Sequence, residues 1–268
     1  MTKIATPKGR LKTPISYYGG KQSMLKHILP IIPEHKTYAE IFFGGGAVFW
    51  AKQPAEAEII NDYNGMVVNF YEQLKLNYDA LKAAIDATPY SRQTYQKAMV
   101  VYEHPYIYTP LVKAWAFWIG TVQGFSNKIG SWRASNPTSK EVLMCENKKL
   151  LITPELSARL RHVQIECVDA IRLIERLDSP DTFFYLDPPY VDSDQGHYGG
   201  YTQEHFNSLL DALTRIKGKF LLSSYPNAVL DRYRSEHGWD NDDKNMHLSV
   251  SQNNRRKTEC LTANYPIR

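Results

Sequence analysis

Residues 185–190 read YLDPPY and close the apolar run TFFYL. Prolines cannot donate to a sheet ladder and fix φ near about −65°, so Pro188 and Pro189 hold the backbone rigid just past a strand end. The Asp187 carboxylate and the Pro188 carbonyl then form two neighbouring acceptors, which match an amino group with two N–H donors. The ring of Tyr190 offers a stacking face to the planar base that carries such a group. The competing interpretation is an ordinary proline turn capped by Asp187. A second cluster is FFGGGAVF, where Phe42, Gly44 and Gly46 form an FxGxG turn between a strand and a helix. Glycines there let a ligand approach the backbone, or simply make a tight connection. Asp62 ends the next strand, at the spacing where dinucleotide-type folds set a carboxylate on ribose hydroxyls; it also suits a helix cap.

These residues need strand ends to stand on. The runs TYAEIFFGG (37–45), AEIIND (57–62), HVQIECVD (162–169), TFFYLD (182–187) and GKFLLSSY (218–225) predict strands. Helical patterns lie between them: AVFWAK, AIRLIERL and TQEHFNSLLDALTRI. Such alternation predicts an α/β fold with a doubly wound, mostly parallel sheet. NMHLSVS and ECLTANY, around the basic turn QNNRRKT, predict an antiparallel hairpin at one edge. The alternation breaks between Asn64 and Arg161, a helix-prone, aromatic-rich stretch that carries the polar loop QGFSNKIGSWRASNPTSK. The expected organisation is a sheet domain of residues 1–63 and 162–268 with a helical domain, 64–161, inserted into it.

A chain of 268 residues with 43% hydrophobic content can bury a full core. A net charge of +4 is compatible with a polyanionic partner but too mild to demonstrate one. Cys145, Cys167 and Cys260 form no CxxC pair, which argues against a disulfide framework or a zinc site and fits a reducing cytoplasm. The basic N-terminus has no apolar leader, and AWAFWIG (114–120) is too short to span a bilayer, so a soluble intracellular protein is expected. DNDD (240–243) predicts a solvated turn, and His197 and His205 fit polar surface positions. Arg255, Arg256 and Lys257 suit either a charged hairpin tip or a phosphate clamp. Most aromatics of the insertion fit helix core; Trp132, in the polar loop, does not.

YYGGK (17–21), EIFFGGGAVF (40–49), NDYN (61–64), DPPY (187–190) and RKTECLTANY (256–265), in that order, resemble the DNA adenine methyltransferase family of the Dam or D12 type. The resemblance covers nearly the whole chain. It implies an S-adenosylmethionine-dependent methyltransferase fold and methyl transfer to N6 of a flipped-out adenine in double-stranded DNA, with no metal and, in some cases, a cognate restriction nuclease as partner. It implies that Tyr17, Lys21 and the turn of Phe42, Gly44 and Gly46 contact the cofactor's methionine end and sugar region. Asp62 would take the ribose hydroxyls, and Asp169, in ECVDA, would lie beside the cofactor's adenine. Asp187, Pro188 and Tyr190 would hold the target base, with Asp187 also bordering the cofactor. The insertion corresponds to a target-recognition domain, so Lys128, Trp132 and Arg133 of its loop, with Arg255 and Arg256, are the expected DNA contacts. The loop around Lys128 to Arg133 departs from the pattern of GATC enzymes and leaves the recognised sequence open. Two other functions compete: methylation of another amine such as RNA adenine, and a DNA-binding or specificity module on an impaired methyltransferase fold. Intact Gly44, Asp62, Asp187 and Tyr190 weigh against the second.

Overall fold

The structure is a computed structural model that describes residues 11–17, 19–127, 129–135, 138, 140–190, 201–247 and 256–267. In chain order its first elements are α1 (Leu25–Ile28), β1 (Thr37–Glu40), α2 (Ala47–Ala51), β2 (Ala57–Asn61), α3 (Gly65–Leu76), α4 (Tyr78–Asp86), α5 (Arg92–Glu103), α6 (Pro110–Gln123), α7 (Glu141–Lys149) and α8 (Pro154–Leu160). Then come β3 (Val163–Glu166), α9 (Ala170–Leu177), β4 (Thr182–Leu186), α10 (Gln203–Leu213), β5 (Lys219–Ser224), α11 (Ala228–His237), β6 (Asp240–His247) and β7 (Arg256–Ala263). Two compact units result, one comprising Met1–Leu25, Gly44–Pro54 and Asp62–Cys167, the other Lys26–Phe43, Ala55–Asn61 and Val168–Arg268.

The second unit carries a mostly parallel sheet with strand order β2-β1-β4-β5-β7-β6. Ala39 of β1 lies opposite Ile59 on one side and Phe184 on the other, both in parallel pairs, and β5 extends the sheet in the same sense. β7 and β6 close it antiparallel. From β1 the chain goes out to β2 and later returns to β4 on the other side of β1. A topological switch therefore lies between β1 and β4, and open α/β sheets bind ligands beyond the carboxyl ends of strands at such points. Ile41 still donates to the Tyr185 carbonyl at 3.1 Å, so β1 and β4 stay zipped up to the residues that leave the sheet.

Strand alternation sorts this sheet into two unlike faces. Ala39, Ile41, Phe184, Leu186, Phe220 and Leu222 line a dry one, packed with Leu173 and Ile174 of α9, Phe206, Leu209, Leu210 and Leu213 of α10, and Leu230 and Tyr233 of α11. Each such large side chain contributes roughly 1.5 to 3 kcal/mol by leaving water. The other face carries polar groups near the carboxyl ends of its parallel strands. Register puts Glu40 opposite Tyr185, Tyr185 opposite Leu221, and Ser223 opposite Leu261, so Glu40, Tyr185, Ser223 and Glu259 share it. All four are buried, and they are partly paired: the Tyr38 hydroxyl donates to Glu40 at 2.6 Å and the Tyr185 and Ser223 hydroxyls lie 3.0 Å apart.

The hairpin differs from its expected limits. DNDD is not a turn but the start of β6, with Asp240 opposite Ala263 and Asp243 opposite Cys260. An edge strand tolerates charges because its exposed flank is wet, and here they are used. Asp243 meets Arg234 at 3.3 Å, Asp242 meets Lys244 at 2.7 Å, and Asp240 accepts from the Ile267 amide at 2.9 Å.

The first unit is largely helical. Its centre is the largely apolar α6, with Ala114, Phe117, Trp118 and Ile119 fully buried and α3 and α5 packed against it. Side-chain caps start its helices: Asn64 on α3, Ser91 on α5, and Thr109 followed by Pro110 on α6. The Trp118 indole donates to the Pro14 carbonyl at 3.2 Å, which ties the N-terminal segment to the bundle. Among the described residues no helix is long and apolar enough to cross a membrane.

Candidate functional site

In the helical unit the candidate cofactor residues gather around one glycine. Gly44 has φ +46°, and a Cβ there would stand 2.7 Å from the Tyr17 ring, so both the backbone conformation and the space under it require glycine. Both ends of this residue are pinned. Its amide donates to Asp62 Oδ2 at 2.8 Å, and its carbonyl accepts from the Tyr71 hydroxyl of α3 at 2.9 Å. Gly46, also left-handed at φ 64°, is the N-cap of α2. Tyr17 opens the turn closed by the Gly20 amide on its carbonyl, and Gly19 supplies the positive φ of 77°. The buried Lys21 ammonium donates to the Gly19 carbonyl at 3.0 Å.

Asp62 is 3% exposed, and its other oxygen accepts from the Asn64 amide at 2.8 Å. It thus orients the backbone at both neighbouring motifs, whereas the α3 cap itself is Asn64, which accepts from Met66. Burial pushes its carboxyl up to about 6, against the two amide hydrogen bonds that favour the ionised form. Each oxygen retains acceptor capacity beyond its one amide, and a carboxylate short of solvent gains from further donors. A pair of ribose hydroxyls meets that need, so these acceptors fit an S-adenosylmethionine-type cofactor. Tyr71 was not singled out from sequence, where it counted among the core aromatics.

In the sheet unit the candidate substrate residues leave β4 at the topological switch. Pro188 and Pro189 are buried and Asp187 is half-buried. The Tyr190 ring is 9% exposed and stands edge-on to Tyr225, with centroids 4.0 Å apart. Its hydroxyl lies 3.0 Å from Asp187 Oδ1 and also bonds Glu259 of β7. Burial, then the two carboxylates, raises the phenol well above its ordinary value, so it stays neutral and keeps its hydrogen. Phe42 leaves β1 beside the dry core and meets Tyr201 edge-on at 6.4 Å. Asp169 is exposed and caps α9, accepting from Arg172 at 3.0 Å. Asn61, unnoticed in sequence, bridges two chain segments: its amide donates to the Ile41 and Val168 carbonyls and accepts from the Val168 amide, all within 3.1 Å.

The expected DNA contacts fare differently. Lys128 and Arg255 lie outside the described residues, and of Arg256 only the backbone is described, opening β7 opposite His247. The loop after α6 is a short hairpin, bridged between Gly124 and Trp132 and held by the Phe125 amide on Ser131 at 2.7 Å. Arg133 braces it: its guanidinium donates to the Gly124 carbonyl through two nitrogens and to Glu141 at 2.9 Å. Trp132 is half-buried between the Arg92 guanidinium, 4.5 Å from its ring centre, and the Tyr90 ring at 5.6 Å. His205 completes the capping box of α10 with Thr202, and His197 lies outside the described residues.

Curated relatives match in segments. The chain is 37% identical over 82 residues to a type II methyltransferase, M1.LlaDCHI, of Lactococcus lactis subsp. cremoris, covering 30% of this chain and 28% of that one. It is 36% identical over 63 residues to the modification methylase StsI of Streptococcus sanguinis, covering 23% and 10%. A DNA N-6-adenine-methyltransferase of Escherichia phage P1 is 40% identical over 57 residues, covering 21% and 7%. The matched segments thus span under a third of each relative. The model of the D12 class N6 adenine-specific DNA methyltransferases, by contrast, matches residues 17–237, from the YYGGK turn through DPPY to the end of α11. With that match over most of its length, the chain belongs to the D12 class N6 adenine-specific DNA methyltransferase family.

Proposed function

We propose that the chain is an enzyme that transfers a methyl group from S-adenosylmethionine to N6 of adenine at a specific site in double-stranded DNA. Family membership implies a methyl donor of this type and a DNA substrate. The observation that carries the proposal is the DPPY segment at the topological switch, where a half-buried acid and two buried prolines leave the sheet beside Tyr190.

When bound, the donor supplies a methyl group on a sulfonium already activated for transfer. The chain's own residues bind and orient. Asp62 would take the ribose hydroxyls, the Gly44 turn would bring backbone close, Tyr17 and Lys21 would hold the methionine end, and Asp169 would hold the cofactor's adenine. Asp187 and the Pro188 carbonyl accept hydrogen bonds from the two N–H groups of the target amine, which holds its nitrogen lone pair away from the ring. Asp187 also balances the positive charge that develops there. The target base must leave the duplex, at a cost of a few kcal/mol, because N6 is engaged in pairing inside it. Aromatic surface at the half-buried Tyr225, against which the buried Tyr190 ring packs, and the phosphate contacts of the helical insertion offset that cost. The purified protein, given tritiated S-adenosylmethionine and duplex DNA, should label the DNA, and digestion should return the label as N6-methyl-2′-deoxyadenosine. Label in cytosine, in RNA only, or nowhere would reject the proposal.

A further inference from the structure

The two units differ in charge. The segments of the helical unit carry 18 Lys and Arg against 9 Asp and Glu, a net +9, whereas those of the sheet unit carry 14 against 19, a net −5. The modest +4 of the whole chain therefore conceals a strongly basic half. Within that half one cation stands where its charge is costly. Lys148 is half-buried in the last turn of α7. Both acids of that helix serve other cations, Glu141 meeting Arg133 at 2.9 Å and Glu146 meeting Lys149 at 2.8 Å. The charge that bears on Lys148 is instead the ammonium of the exposed Lys12, and burial, then this like charge, lowers Lys148 below the ordinary lysine value. Among the described residues neither ammonium has an ion pair or a hydrogen bond. Lys12 is held near by its own segment: Thr13, Pro14 and Ile15 are buried, and the Pro14 carbonyl accepts from the Trp118 indole at 3.2 Å. The carboxyl end of a helix favours a cation, but an exposed lysine would serve there without burial or a like neighbour.

We infer that Lys12 and Lys148 together clamp the phosphate backbone of DNA, so that the segment ahead of the family match contributes to the DNA-binding surface. This rests on the DNA substrate proposed above. Phosphate oxygens between two ammoniums turn their repulsion into charge-assisted contacts and return to Lys148 the polar partner that burial removed. The basic excess of the whole unit favours a polyanion over a small anion. α7 begins at Glu141, which braces the loop after α6 through Arg133, and Lys148 follows roughly 10 Å further along the helix. That separation lies well inside one turn of a duplex, about 34 Å, so one bound DNA can meet the loop and the clamp together.

The test is the affinity of the full chain for a mixed-sequence duplex of about 30 base pairs, measured from about 50 to 200 mM salt, with the melting temperature of the free protein beside it. Lys148→Met keeps the length of the stem and drops the charge; Lys12→Gln drops the other. Each should reduce the slope of log affinity against log salt by about one unit and weaken binding about fivefold near 0.15 M salt. Lys217→Gln, the same charge change on the sheet unit, should leave the slope as it is. Lys148→Met should melt no lower than the parent, because the charge it removes is desolvated and faces a like one. Unchanged slopes in both clamp variants would overturn the inference, as would an equal effect of Lys217→Gln, which would assign the loss to net charge alone. Weaker binding of inorganic pyrophosphate with unaltered duplex binding would make the pair a small-anion site and overturn it too. Should Lys148→Met not fold, the exposed Lys12→Gln decides by the same slope. A parent that neither binds nor methylates duplex DNA would remove the proposed function and this inference with it; a methylating parent whose variants keep its slope removes the inference alone.

Discussion

Asp62 holds the Gly44 and Asn64 amides and, under the proposed function, takes the cofactor's ribose as well. Its folded value of about 6 lies above the ordinary 3.8, so its contribution to stability is greatest at low pH and is lost as pH rises through about 6. The loss is on the order of 3 kcal/mol for an isolated group of this kind. Hydroxyl donors from a bound cofactor favour the ionised form and reverse that penalty. Cofactor affinity, measured by calorimetry, should therefore rise as pH goes from 5 to 7.5, and Asp62→Asn should abolish most of the dependence. A flat profile in the parent would confine Asp62 to holding Gly44 and Asn64. Asp187→Asn keeps shape but loses the anionic acceptor, so transfer should fall by at least about two orders of magnitude with much less change in cofactor affinity. An unaltered rate of tritium transfer would end its assignment as the amine's acceptor. Asp187, Gly44 and Asp62 were legible in the sequence because a carboxylate before two prolines, or a glycine run after a strand, limits what the backbone can do. Tyr71, Asn61 and Glu259 were not, because their partners lie 27, 107 and 69 residues away and only packing and register bring them together.

At the scale of elements, the loop after α6 and the last hairpin carry the same lesson from two sides. Arg133, in its polar, glycine-bearing loop, suggested a DNA contact to a base edge or to phosphate; its guanidinium is directed at Gly124 and Glu141. Arg133→Ala should lower thermal stability without DNA present, by about 1 to 3 kcal/mol for a partly buried charged hydrogen-bond network, and make the loop after α6 more sensitive to proteolysis. Methylation should then drop evenly across sequence contexts. An unchanged melting temperature with relaxed preference at one base pair would instead make it a reader. DNDD suggested a turn because four polar residues in a row break the period of a buried strand. On an edge strand the same residues need no apolar face, and composition alone cannot distinguish the two. Elements with strict periodicity and ordinary caps were plain: AIRLIERL coincides with α9, and its start is marked by Asp169.

For the whole molecule, strand and helix alternation was enough to give the mostly parallel sheet, since each parallel pair needs a crossover and each crossover leaves its own pattern. The division into units was less visible. It falls inside the FxGxG motif, between Phe43 and Gly44, because the glycine turn is held by Tyr71 of the helical segment rather than by the strand that precedes it. Ten of the residues expected to act, from Tyr17 to Tyr190, belong to the segment that matches the family and to the described chain outside the loop after α6, and the central claim is that they methylate adenine. The measurement that tests this most directly is modified-base sequencing of DNA from methylation-deficient cells that express the chain, alongside its Asp187→Asn variant. The account predicts N6-methyladenine in one fixed sequence context with the parent and almost none with the variant. Soluble, cofactor-binding parent protein that leaves every adenine unmodified would contradict it, as would a mark on cytosine.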